Sequence, residues 1–127
     1  MPIPVTALYL AFNAVLNVAL AANVTRVRAK TSVFLGTGES PEVLLAVRRH
    51  GNNAEYVPLA LVALLCAELA GGGAALLHGV GAALSLGRVL HVVGVGPTPK
   101  PPRAIGAVLT WAAIVVAAVA AAVLSYR

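Results

Sequence analysis

The sequence predicts an all-α integral membrane protein: a four-transmembrane-helix bundle with almost no chain left for a water-soluble domain. Two observations predict it. The chain of 127 residues is 60% hydrophobic and only 10% charged, with a mean hydropathy of +0.92, whereas a soluble domain carries about 25% charged residues to meet water. The apolar residues also fall into four stretches near the ~20 residues that a hydrocarbon core ~30 Å thick demands of a helix. Four such helices and short loops use the whole chain, 1–127, as one domain. On a soluble protein the net charge of +5 would suggest nucleic acid. Here the basic residues flank apolar spans and report topology instead, and no nucleic-acid partner is expected.

A first helix is expected over about residues 3–24, because Val5 to Thr25 contains no charge. Ala19-Leu20-Ala21 resembles a signal cleavage site, but no Lys or Arg precedes the apolar stretch, so the segment reads as a retained span. Residues 25–41 read as a loop with Arg26, Arg28, Lys30, Gly36 and Gly38. Ser40, Pro41 and Glu42 then form a helix start: a capping hydroxyl, a proline at the first position and an acid in the first turn.

The second helix is expected over about 41–69, polar from Arg48 to Glu55, apolar from Val57 to Ala67 and kinked at Pro58. Gly71-Gly72-Gly73 ends it in a tight turn, with Glu68 expected in solvent. The third helix spans about 74–95 and carries His78, Arg88 and His91. Residues 96–103 (GPTPKPPR) read as a rigid proline-rich loop, and the fourth helix, about 104–125, has no charge at all. Loops one and three hold the basic residues and the middle loop holds none, which places loops one and three in the cytoplasm and both termini outside. Cys66 has no partner for an intramolecular disulfide and reads as packing.

Polar residues inside spans cost ~2.5–3.5 kcal/mol each when charged, so each needs a reason. Arg48, Asn52 and Glu55 stand at i, i+4 and i+7, sharing a helix face. Arg88 and His91 stand at i, i+3, and Arg103 opens the fourth helix. All lie toward one end of their helices, so three separate stretches bring polar groups to one depth. Glu55 could neutralise Arg48 or Arg88 and staple the bundle. Yet four arginines, 48, 49, 88 and 103, face that single acid, and the surplus calls for an anion such as a lipid headgroup or a carboxylate ligand. Asn13 and Asn17, i and i+4 in the first helix, must face protein, as interhelical glue or as pocket lining. His78 and Trp111 are assigned no functional role.

The run from Arg48 to Pro58 (RRHGNNAEYVP) resembles the helix-two signature Arg-x-x-x-Asn-x-x-Glu of the membrane-associated proteins in eicosanoid and glutathione metabolism (MAPEG). Gly87-Arg88-Val89-Leu90-His91 and the loop from Pro97 to Arg103 resemble the third helix and loop of its microsomal glutathione transferase branch. The resemblance covers essentially the whole chain. It implies a homotrimer of four-helix subunits in a bacterial inner membrane, with glutathione as co-substrate between subunits and no metal. Arg48, Asn52, Glu55 and Tyr56 would hold glutathione, Arg88 and His91 would line the same pocket, and Arg103 would be the catalytic residue, a guanidinium that lowers the thiol pKa. His50, Asn13 and Asn17 are possible pocket lining. The sequence departs from some members at Val95, where they carry a tyrosine that helps hold glutathione.

Two functions follow as expectations. One is a membrane enzyme that conjugates glutathione to lipophilic electrophiles or reduces lipid hydroperoxides. The alternative is a non-catalytic membrane protein of the same fold that binds a lipid, glutathione or a related thiol. A channel or transporter is disfavoured, because the charges crowd one side instead of lining a path across.

Overall fold

The computed structural model describes residues 2–98 and 100–127. Pro99, in the proline-rich loop, lies outside them. Four helices follow one another: α1 Pro4–Thr31, α2 Pro41–Leu69, α3 Ala74–Gly94 and α4 Pro101–Ser125. α1, α3 and α4 are long and apolar enough to cross a membrane. α2 is equally long but is interrupted by its polar segment from Arg48 to Glu55, and it is not among the three. Large apolar side chains such as Leu8, Phe12, Leu59, Val93, Val108 and Val119 point outward, which suits a bilayer and not water.

Packing orders the helices in a ring. α1 lies on α2, α2 on α4, α4 on α3 and α3 on α1, with α2 and α3 also touching across the middle. α3 and α4 make the most intimate pair, and glycine is the reason. A Cβ on Gly87 would come within 2.9 Å of the Gly106 carbonyl oxygen, one on Gly106 would meet the Gly87 oxygen, and one on Gly94 would run into the backbone of Arg103. Small residues bring helix backbones together where no hydrophobic effect can drive association. Below this seam the core is Val57, Leu61, Leu64, Leu77, Leu84 and Ala113.

Several boundaries and surroundings differ from the sequence expectation. α1 continues seven residues past Val24 to Thr31, because Thr25–Thr31 holds no glycine or proline. It stops only at Ser32, whose φ of 57° is left-handed. The loop shrinks accordingly and is organised by Arg28, whose Nη1 donates to the carbonyls of Val33 (3.0 Å) and Gly36 (2.8 Å). α4 begins at Pro101, not 104, since prolines fit a first helical turn, where the missing N–H has no partner to lose. α3 ends at Gly94, and Val95 is its C-cap.

Glu68 is a half-exposed helix end, as expected, with a structural task the sequence did not disclose. Its two carboxylate oxygens accept from the backbone N–H groups of Val5 (3.0 Å) and Thr6 (2.7 Å), capping α1, which has no side-chain cap of its own. Cys66 is exposed on the helix surface and is not part of the core. His78 holds the Tyr9 hydroxyl through its Nδ1 and its carbonyl, both at 3.1 Å, in a slot that Gly81 leaves open, where any Cβ would enter the Tyr9 ring.

Candidate functional site

The buried stripe of α2 runs Ala46, Asn53, Val57, Ala60, Leu64 and Ala67, and that of α3 runs Leu77, Val80, Leu84, Arg88 and His91. Helical periodicity therefore carries Arg88 to the centre of the bundle, where it is only 1% exposed. Its guanidinium is held on every side by neutral groups. Nη2 donates to Asn52 Oδ1 at 2.6 Å and lies 3.4 Å from His91 Nδ1, Nε donates to Asn53 Oδ1 at 3.2 Å, and Nη1 donates to Thr110 Oγ1 at 3.3 Å. Among the described residues no carboxylate joins this set. The one ion pair among the described residues is Lys30–Glu42 at 3.2 Å, exposed and remote. A buried cation without an anion is expensive, so the site is electrostatically prepared for one.

Beside Arg88 lies a cavity of about 400 Å³ lined by Asn52, Tyr56, His91, Lys100, Arg103 and Trp111, among others. A flanking cavity of about 220 Å³ shares Asn52, His91 and Arg103 and adds Arg48 and Val95. Arg48, Lys100 and Arg103 thus surround the opening, and no acid lines either cavity among the described residues. The first turn of α4 points here without a side-chain cap, adding the positive end of a helix dipole. Ala107 and Trp111, on the lipid side of α4, give the pocket an apolar wall. Arg49 takes no part in it. Its Nε and Nη2 donate to the Val95 carbonyl at 3.2 and 2.6 Å, tying α2 to the end of α3.

Of the residues singled out by sequence, Arg48, Asn52, Tyr56, Arg88, His91 and Arg103 meet around these two cavities. Glu55 does not. It is exposed and bonds to neither Arg48 nor Arg88, because it stands two positions, about 200°, round the helix from buried Asn53. His50 lines neither cavity. Asn13 and Asn17 lie on the far side of α2. Asn13 donates to Ser85 Oγ at 3.1 Å and to the Tyr9 carbonyl at 2.9 Å, while Asn17 accepts from Asn53 at 3.2 Å. Sequence reasoning missed Asn53, Thr110 and Lys100, and gave Trp111 no place in the site. Asn53 and Thr110, both 0% exposed, carried a signal: each interrupts a stripe of small or apolar residues at helical spacing.

Comparison with known proteins places this geometry. The profile of the MAPEG family matches residues 6–123. The chain belongs to the MAPEG family. Two similar relatives are the "Inner membrane protein YecN" of Escherichia coli strain K12 and that of Escherichia coli O6:H1 strain CFT073. Each is 34% identical over 110 residues, 87% of this chain and 84% of theirs. No solved structure matches. Family membership agrees with the helical membrane bundle and gives the arginine cavity its context.

Proposed function

We propose that this MAPEG protein is a glutathione-dependent membrane enzyme that joins glutathione to lipophilic electrophiles or uses it to reduce lipid hydroperoxides. The observation that carries the proposal is the buried Arg88, held only by neutral partners beside a cavity ringed by Arg48, Lys100 and Arg103. Glutathione brings two carboxylates and its own nucleophile. Arg48 and Arg88 would take the carboxylates, since guanidinium–carboxylate hydrogen bonds are charge-assisted. Asn52, Tyr56 and His91 would orient the peptide.

Arg103, at the uncapped first turn of α4, would stabilise the thiolate. In conjugation the thiolate forms the C–S bond, and the displaced electron pair leaves with the departing group or is protonated by water. In hydroperoxide reduction the thiolate attacks the terminal oxygen and the O–O bond breaks; the alkoxide leaves and takes a proton from water to become the alcohol, and a second glutathione displaces water from the resulting sulfenic acid to close the disulfide. The apolar wall at Ala107 and Trp111 would admit the lipophilic partner from the bilayer. We place loops one and three in the cytoplasm and the protein in a bacterial inner membrane as a homotrimer, so that Glu55, exposed in one subunit, can meet ligand bound beside a neighbour.

A second reading, a binding protein without turnover, is favoured by one feature: Val95 gives the flanking cavity no hydroxyl. A thermal-shift titration in detergent with glutathione and its S-hexyl conjugate tests the site. Ligand at 100 times its Kd stabilises the fold by ~2.7 kcal/mol. A saturable rise that disappears in Arg48→Ala supports the site, and turnover with a lipophilic electrophile then separates enzyme from binder. No rise with either ligand overturns the glutathione assignment.

A further inference from the structure

Arg88 meets four side chains: Asn52 Oδ1 at 2.6 Å, Asn53 Oδ1 at 3.2 Å, Thr110 Oγ1 at 3.3 Å and His91 Nδ1 at 3.4 Å. A guanidinium has no acceptor atom, so each partner must turn an acceptor toward it. The contact with His91 therefore admits one protonation state. A proton on Nδ1 would set N–H against N–H, which excludes both the imidazolium and the Nδ1–H tautomer. His91 is the neutral ring with its proton on Nε2.

Each acceptor turned toward Arg88 leaves a donor turned away. Two of these donors are satisfied inside the protein. Asn53 Nδ2 donates to Asn17 Oδ1 at 3.2 Å, and the Thr110 hydroxyl donates to the Gly106 carbonyl at 2.8 Å. The other two are not. Asn52 Nδ2 and His91 Nε2 have no acceptor among the described residues, and both side chains line both cavities. The charge of Arg88 polarises them in the sense that strengthens the outward donor. The whole set belongs to one chain and lies at its centre, where Arg88 is 1% and Asn53 0% exposed. Further copies packed around the bundle leave it in place.

We propose that Arg88 is a positioning residue that locks His91 as the Nε2–H tautomer and Asn52 with its amide N–H groups outward, so that the cavity offers neutral donors between the cations of Arg48, Lys100 and Arg103. The ligand group that fits such a floor is one that only accepts, a carboxylate. His91 is then a donor and not the base that takes the thiol proton. Its Nε2 already carries a proton and its Nδ1 faces Arg88, so the thiol proton leaves to solvent. The tautomer follows from the hydrogen bonds of the chain alone, while the carboxylate contact rests on the glutathione reading.

The test uses the purified full-length protein in detergent at neutral pH. The imidazole nitrogen NMR shifts distinguish the two tautomers and the imidazolium. The chain has three histidines, and the signals lost in His91→Gln are those of His91. The Nε2–H pattern is expected in the wild type. Arg88→Lys keeps the charge but loses the planar fork, and should show the two tautomers averaged. A wild-type His91 with the Nδ1–H or imidazolium pattern overturns the proposal. Binding of S-hexylglutathione then reads the use of the donor. Gln sets an amide N–H near the place of Nε2, whereas Asn sets an oxygen near the place of Nδ1. His91→Gln should therefore bind close to wild type and His91→Asn about tenfold more weakly, the scale of one hydrogen bond to a charged group. Equal binding by the two variants, strong or weak, overturns the donor role. A wild type that does not bind S-hexylglutathione at all overturns the glutathione reading and the carboxylate contact with it, and the nitrogen shifts still decide the tautomer. Should Arg88→Lys not fold, the wild-type pattern decides.

Discussion

Adding one methyl group at Gly106 should loosen the bundle and the arginine cavity together. A Cβ there would stand 2.5 Å from the Gly87 carbonyl oxygen and 2.9 Å from His91 Cα. Ordinary contacts begin at roughly 3.5 Å, so α3 and α4 must part by about 1 Å. Both obstructing atoms are backbone, and no side chain can rotate away. Overpacking of this kind costs about 1–3 kcal/mol, while Ala gains up to ~1 kcal/mol over Gly in helix propensity. With the full propensity gain subtracted, the net expectation for Gly106→Ala is a loss of up to about 2 kcal/mol.

Separation would also stretch the Arg88 Nη1–Thr110 Oγ1 bond, already 3.3 Å, beyond hydrogen-bonding range. Gly79→Ala is the control. A Cβ at Gly79 meets nothing within 4 Å, so only the propensity gain remains and stability should hold or rise. Thermal unfolding in detergent can be followed by circular dichroism and by the fluorescence of Trp111, the single tryptophan. Gly106→Ala melting at or above both wild type and Gly79→Ala would refute the close-packed α3–α4 seam.

Glu68→Ala should cost about 1–2 kcal/mol through loss of the α1 cap, with faster amide exchange at Val5 and Thr6 as the specific sign. Arg88→Leu strands Asn52, Asn53 and Thr110 inside the bundle at about 1–3 kcal/mol for a buried polar group left unpaired, and the stabilising effect of glutathione should vanish with it. Arg103→Ala should leave glutathione-induced stabilisation largely in place while moving thiolate formation on the bound ligand to higher pH, read from thiolate absorbance across a pH series. Lys30→Ala breaks an exposed ion pair and should change stability by less than ~1 kcal/mol, as measured in the same melts.

The membrane class, the four helices and most of the polar set were legible in the chain alone. Those follow from composition, apolar run length and local spacing, which need no knowledge of neighbours. The α3 stripe from Leu77 to His91 already points Arg88 inward. Helix ends were less legible, because a basic but helix-compatible segment, Thr25–Thr31, and a proline-led first turn, Pro101-Pro102, look like loop when charge and proline content are the guide. The partners of these residues became visible only in the folded bundle. Arg48, Asn52 and Glu55 share a face in sequence, yet the rotation of α2 turns Asn53 to the core and Glu55 outward. Glu68 reads as a plain helix end in sequence, and only the structure shows α1 starting against its carboxylate. Asn17 reads as interhelical glue from its depth in the first helix, but only the structure supplies its partner, Asn53 on α2. Periodicity fixes which residues share a helix face, but which helix that face meets depends on how closely glycines such as Gly87 and Gly106 let the backbones approach, and that is a property of the whole bundle.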